Sequence, residues 1–225
     1  MSAPRSASGS LRPARGNTRK IIVGEAARLF ALKGYEGASV GDIALATGIS
    51  KPAIYHHFAD KDQIYSEVVG AVLRDMLDNA ARSLDGIASP AERLRVFMLA
   101  HAAFFEQHRH SYIAAHLGFR GLRSRGRDAA LRLRDDYEGM LRDILADAQR
   151  AGALDVPDVP AAGRMILSTL NWMARWYQPD GPQTAREIAA RYADMLLQGL
   201  LPRGTAAGEP RAAGRVRRCR KRGAA

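Results

Sequence analysis

Cysteine is all but missing from this 225-residue chain, and Cys219 is its single copy. No intrachain disulfide is available, and a reducing compartment suits the protein. No uninterrupted apolar run approaches the ~18 residues that a membrane span needs, and the first residues carry charge without the apolar centre of a secretory signal. A soluble, cytoplasmic protein without membrane contact is therefore expected. Period-two alternation is also missing, so strands are not expected. Acidic residues are absent from residues 1–20, which hold Arg5, Arg12, Arg15, Arg19 and Lys20. Residues 203–225 hold seven arginines and Lys221 against Glu209 alone. These two stretches supply +5 and +7 of a net charge of +11, which leaves −1 for residues 21–202. The body is nearly neutral and the basicity sits in its flanks. Both flanks are rich in Ala, Gly, Pro and Arg and read as disordered, residues 1–17 as a basic arm and 203–225 as an arginine tail. Such tails attract polyanions without reading sequence, or simply aid solubility.

The signatures of catalysis are missing as well. No phosphate loop, Ser/His/Asp order or pair of carboxylates stands out, so an enzyme is not expected and no cofactor is implied. His101, His108, His110 and His116 crowd into sixteen positions, but no carboxylate or cysteine pattern completes a metal site. His101 continues an apolar stripe from Leu94 and Met98 to Phe105, where a histidine serves as a hydrogen-bonded core or pocket group.

What is present is helical throughout. Residues 18–33 place Ile22, Ala26, Leu29, Phe30 and Lys33 on one face, and Gly34 ends that helix. A long helix over 61–84 carries Ile64, Val68, Val72, Met76 and Ala80 along one stripe. Further helices are expected over 91–108, 110–119, 127–151, 158–178 and 182–201, separated by glycine and proline breaks.

Between the first and the long helix lies the most informative stretch, residues 39–61. Ser39 is placed to cap a short helix, with Asp42 completing a capping box. Gly48 falls where a tight turn needs positive φ. Ile49 plugs the angle, and Ser50 caps a second helix that starts Lys-Pro, where proline costs nothing because that N–H has no helical partner. This is the layout of a helix-turn-helix whose second helix enters the DNA major groove.

These motifs, Ala-Ala-Arg-Leu-Phe, Gly-Tyr-Glu-Gly-Ala-Ser-Val, Gly-Ile-Ser-Lys-Pro-Ala-Ile-Tyr-His-His-Phe and Asp-Lys-Asp, closely resemble the DNA-binding domain of TetR-family transcriptional repressors over residues 22–69. The resemblance implies an all-α homodimer, with a DNA-binding domain over 18–62 and a ligand-binding and dimerisation domain over 63–202. It implies that Lys51, Pro52 and Ala53 face base edges. Lysine can donate to guanine and an alanine methyl can touch that of thymine. Tyr55, His56 and His57 match positions near phosphate or base edges, and Lys61 and Ser39 suit phosphate.

In the C-terminal half, Phe104, Phe105, Tyr112, Phe119, Trp172, Met173 and Trp176, with His101, are expected to line a large apolar pocket. The stretch from Asn171-Trp172 to Trp176-Tyr177-Gln-Pro-Asp-Gly is similar to a subgroup whose effectors are often acyl-CoA thioesters. Six arginines over 120–134, Arg123 and Arg127 among them, would suit the phosphorylated head, or form a solvated face paired with Asp128, Asp135 and Asp136. Ile188, Tyr192, Met195, Leu196 and Leu200 form a stripe suited to a symmetric four-helix dimer contact. The resulting expectation is a ligand-responsive repressor of a palindromic double-stranded operator, released by a small apolar effector. The alternatives are a DNA-binding protein without a small-molecule switch, such as an activator or nucleoid-type protein, and a helical enzyme.

Overall fold

The computed structural model describes residues 15–117 and 124–198 of the chain. Every regular element among them is a helix: α1 (Arg15–Gly37), α2 (Val40–Thr47), α3 (Lys51–His57), α4 (Lys61–Leu84), α5 (Pro90–Gln107), α6 (Arg109–Leu117), α7 (Ser124–Arg150), α8 (Val159–Trp176) and α9 (Ala185–Gln198). No described helix is long and apolar enough to cross a membrane.

The N-terminal unit is built on α1, which buries Ile22, Ala26, Leu29 and Phe30 on one stripe. Gly34 breaks its helical course at φ 73, a backbone conformation that side chains resist. Tyr35 then turns back onto Phe30 and Tyr65, with ring centroids 5.9 and 4.8 Å away. α1 begins at Arg15, so residues 15–17 are helical rather than part of a disordered arm.

α4 joins the two halves. It buries Ile64, Val68, Val72, Met76 and Ala80 on the expected stripe, and Tyr65, Val69, Leu73 and Leu84 beside it. A helix buried over so wide an arc needs neighbours on several sides, and α1, α5, α6 and α7 supply them. The Tyr65 hydroxyl, pushed upward in pKa by burial, donates to the Ala114 carbonyl at 2.8 Å and so ties α4 to α6. α5 packs between α7 and α9, and α8 closes on α7.

Two expected helix starts in the C-terminal half shift by three residues. α9 starts at Ala185 rather than 182, because Thr184 and Glu187 form a reciprocal cap: Glu187 N–H donates to Thr184 Oγ1 at 3.1 Å, and Thr184 N–H to Glu187 Oε2 at 2.8 Å. α7 starts at Ser124, three residues before the expected 127.

Candidate nucleic-acid interface

The helix-turn-helix follows from short-range chemistry. Asp42 N–H donates to Ser39 Oγ at 3.1 Å, while Ser39 N–H and Oγ–H both donate to Asp42 Oδ2, at 2.8 and 2.6 Å. Lys33 adds an ion pair to the other carboxylate oxygen at 2.8 Å. Together Lys33 and Ser39 hold the Asp42 carboxyl far below the ordinary carboxylate range. Gly48 turns the chain at φ 68. Thr47 stitches this turn: its hydroxyl donates to the Ile43 carbonyl at 2.7 Å and accepts from Ile49 N–H at 3.2 Å. Ser50 Oγ accepts from Ala53 N–H at 3.4 Å to start α3.

α3 has one fully buried residue, Ile54. Lys51, Pro52, Tyr55 and His56 are exposed, and Ala53 and His57 are half-buried. Tyr55, at 52% exposure, is therefore an outward-facing ring and not a core aromatic. Lys51 lies across the start of α2. Gly41 leaves room for it, since a Cβ there would stand 3.1 Å from Lys51 Nζ and 3.3 Å from Ser39 Oγ. Lys61 approaches the same end of α2, but its ammonium is turned inward. It donates to the Tyr35 and Ala38 carbonyls at 2.9 and 3.2 Å and stands 4.2 Å from the centre of the Tyr35 ring. Two of its three donors are thus spent inside the subunit, which leaves one for phosphate.

The C-terminal half places its expected residues less simply. His101, 1% exposed, sits at the centre of a polar cluster that joins four helices. Tyr112 O–H donates to Asn171 Oδ1 at 2.6 Å, so it must accept from His101 Nε2–H at 2.8 Å. Nδ1 then accepts from Tyr137 O–H at 3.0 Å. α5, α6, α7 and α8 are tied by one directional chain that requires a neutral imidazole. Burial, and secondarily the charge of His116, pushes the His101 pKa down to about 3. His116 stacks on Tyr112 with centroids 3.9 Å apart. Burial lowers its pKa to about 4, against the hydrogen bond with the Tyr112 carbonyl and with help from Arg134. His108 packs on Phe104, and His110 is exposed, so the four histidines part ways.

The expected pocket is not one cavity among the described residues. Phe104, Phe105, Tyr112 and Met173 are buried in direct packing, Phe105 against Tyr112 and Tyr177 at 5.1 and 5.5 Å. Trp172 and Trp176 point outward, 63% and 41% exposed. The reason is helical period: Ile166, Leu170, Met173 and Tyr177 take the inward face of this segment, so Met165, Trp172 and Trp176 fall on the other. Arg127 is exposed on α7, while Phe119, Arg123 and Leu200 lie outside the described residues. On α9, Ile188 is buried within the subunit and Tyr192 half-buried, while Met195 and Leu196 are exposed. The described residues border several separate hollows instead. One of about 560 Å³ lies between α1 and α4 over Phe104 and His108. One of about 800 Å³ lies between Leu154, Val156, Met165 and Leu196.

Sequence reasoning missed Tyr137, and it gave Asn171 no part in the polar chain that the two residues complete. Tyr137 stands in a run of charges, and no spacing rule marks it as a partner of a residue 36 positions away.

A capped, shallowly anchored helix with polar and basic residues outward, set against a lysine-bearing helix start, is the geometry of a protein that reads DNA through the major groove. Comparison with known proteins gives the same class. The family model described as "Bacterial regulatory proteins, tetR family" matches residues 22–68. That described as "Tetracyclin repressor-like, C-terminal domain" matches residues 88–200. The HTH-type transcriptional repressor KstR2 of Mycolicibacterium smegmatis is 32% identical, over 78% of this chain and 86% of that protein. The crystal structure of the TetR-family regulator PfmR from Thermus thermophilus superposes with a TM-score of 0.77 at 42% identity, covering 80% of this chain and 99% of that one. AibR in complex with isovaleryl coenzyme A and operator DNA superposes with a TM-score of 0.75 at 26% identity, over 80% and 97% of the two chains. The chain belongs to the TetR family and is a ligand-responsive, DNA-binding transcriptional regulator. Members of this family bind operator DNA and dimerise.

Proposed function

We propose that this regulator is a repressor whose two subunits join through the outward faces of α8 and α9. Each subunit sets α3 into successive major grooves of a palindromic operator, and an apolar, acyl-CoA-type effector releases the complex. The observation that carries the reading is α3 itself. Ile54 is its one fully buried residue, and Lys51, Pro52 and Tyr55 are left to the solvent side. Lys51 can donate to guanine, and the half-buried Ala53 can meet a thymine methyl. Ser39, Tyr55, His56, His57 and the remaining donor of Lys61 serve phosphate and neighbouring base edges.

Two recognition helices one DNA turn apart, ~34–36 Å, match a palindrome. An effector that tilts α4 changes that spacing, and both half-sites lose contacts together. Operator and effector are then reciprocally coupled.

The interface proposed here takes Met165, Trp172 and Trp176 together with Met195 and Leu196. It leaves Ile188 to the subunit core. AibR, solved with an acyl-CoA and operator DNA, supports an effector of that class, with Arg123 and Arg127 the candidate partners of its phosphorylated head. Footprinting on DNA flanking the gene should reveal a protected palindrome, and isovaleryl-CoA or a longer acyl-CoA should weaken it where free CoA does not. Binding of DNA unaffected by any acyl-CoA would replace this reading with a regulator of another effector or with one lacking a switch.

A further inference from the structure

We propose that Arg19 is the positioning residue that sets the C-terminal end of the recognition helix and passes motion of α4 to it. The inference rests on the reading of α3 as that helix. α3 is seven residues long, and the turn and Ser50 hold its first end. Its last carbonyls have no intrahelical partner and form the negative end of its dipole.

Arg19, on α1, meets that end. Its Nη1–H donates to the His57 carbonyl at 2.9 Å. The guanidinium carbon stands 4.3 Å from the centre of the Phe58 ring, the residue that caps α3. The same fork turns its other edge to α4, where Nη2–H and Nε–H donate to the two carboxylate oxygens of Glu67 at 3.0 and 3.5 Å. One planar group thus joins α1, the end of α3 and α4. Lysine, which lacks the planar fork, could not pair with both Glu67 oxygens while donating to the His57 carbonyl in this geometry.

Beside this pair a hollow opens between α1 and α4, which pack directly where Phe30 and Tyr35 meet Tyr65. Arg19 and Glu67 both border the 560 Å³ hollow, together with Lys20, Val23, Asp75 and Phe104. Side-chain packing does not fill the hollow, and the ion pair joins α1 to α4 at its border. When α4 tilts, Glu67 moves relative to α1, and the guanidinium must follow or give up a partner. Either response changes how the end of α3 is held.

The test uses the full-length protein with Arg19→Gln, Arg19→Lys, Glu67→Gln and the double variant. Affinity for operator and for random-sequence duplex is measured across salt concentrations, alongside thermal melting. Arg19→Gln should weaken operator binding roughly ten- to hundredfold, the range expected for a lost charge-assisted hydrogen bond. Random duplex should lose clearly less and keep its salt slope, because base-edge contacts depend on the angle of α3 more strictly than the phosphate contacts of Tyr55, His56 and His57 do. Arg19→Lys should not restore affinity. Glu67→Gln should give a smaller loss of the same kind, and the double variant should lose no more than Arg19→Gln alone. Equal losses on both DNAs with a salt slope reduced by about one ion per subunit would make Arg19 a phosphate contact and overturn the proposal. Additive losses or unchanged operator affinity would overturn it too. If Arg19→Gln melts early, the comparison of Glu67→Gln between the two DNAs decides. A wild-type protein without preference for any operator would instead remove the recognition-helix reading on which the inference stands.

Discussion

The turn between α2 and α3 and the cluster around His101 are both built from hydrogen-bonded polar side chains, yet they are organised in opposite ways. In the turn every partner lies close in sequence: Ser39 with Asp42, Thr47 with Ile43 and Ile49, Ser50 with Ala53. These groups stay near water, and the resulting shape presents α3 outward. Around His101 the partners lie 11 to 59 positions apart and come from four helices. Buried in an apolar bundle, each must be satisfied by another or cost free energy. The first region is a presentation device that can be rebuilt from local rules. The second is a fastening that exists only when four helices are already in place.

Charge on the outward face of α8 should break the molecule most completely. Trp172→Glu would bury an unpaired carboxylate in the proposed two-fold contact at a cost of several kcal/mol. Sizing should show monomer, and operator affinity should fall by orders of magnitude as linked half-sites become independent. Trp172 as a pocket residue predicts the reverse: an intact dimer with altered effector response. The helix-turn-helix itself should melt unchanged in either case.

Acid should separate the two regions next. The unfolded chain protonates histidine near pH 6.5, whereas folded His101 and His116 stay neutral down to about 3 and 4. Between these limits the unfolded state binds protons that the folded state refuses, so stability falls as pH drops from 6.5 toward 4. The slope is about 1.4 kcal/mol per pH unit for each histidine. Denaturant melts across that window should show it, and His101→Gln, which titrates no proton, should roughly halve the slope and leave the His116 share. A stability flat from pH 6.5 to 4 would contradict the buried neutral network.

At the DNA surface smaller effects are expected. Lys51→Ala should cost ~1–3 kcal/mol at the operator and relax preference at one base pair per half-site. Lys61→Ala should weaken all DNA sequences alike and, because Lys61 also anchors the Tyr35 and Ala38 carbonyls, lower the melting temperature as well. Competition binding with randomised half-sites, paired with thermal melts, distinguishes the two residues. The mildest change is Ser39→Ala, which removes one cap worth ~1 kcal/mol of stability and leaves base preference alone.

Legibility in the sequence followed the same division. Ser39, Gly48, Ile49 and Ser50 were readable because caps and turns are decided within a few residues. So was the stripe on α4, since burial repeats with the helical period. Trp172 and Trp176 were misplaced for a physical reason. α8 is apolar around much of its circumference, and sequence alone could not say which arc meets the subunit's own core and which faces out. Lys61 was legible as a cation but not as an anchor, because the carbonyls it binds belong to another helix and its following loop.

By itself the sequence determined that the chain is helical, that a capped turn presents a short helix after Ser50, and that its positive charge lies in two flanks around a nearly neutral body. Those properties depend on neighbours within about one helical turn or on simple counts. Only the tertiary structure decided that His101 is a neutral link between two tyrosines, that the tryptophans of α8 face outward, and that Arg19 reaches the end of α3. Each of these depends on which distant helix arrives alongside, and that choice is made by the packing of all the helices together.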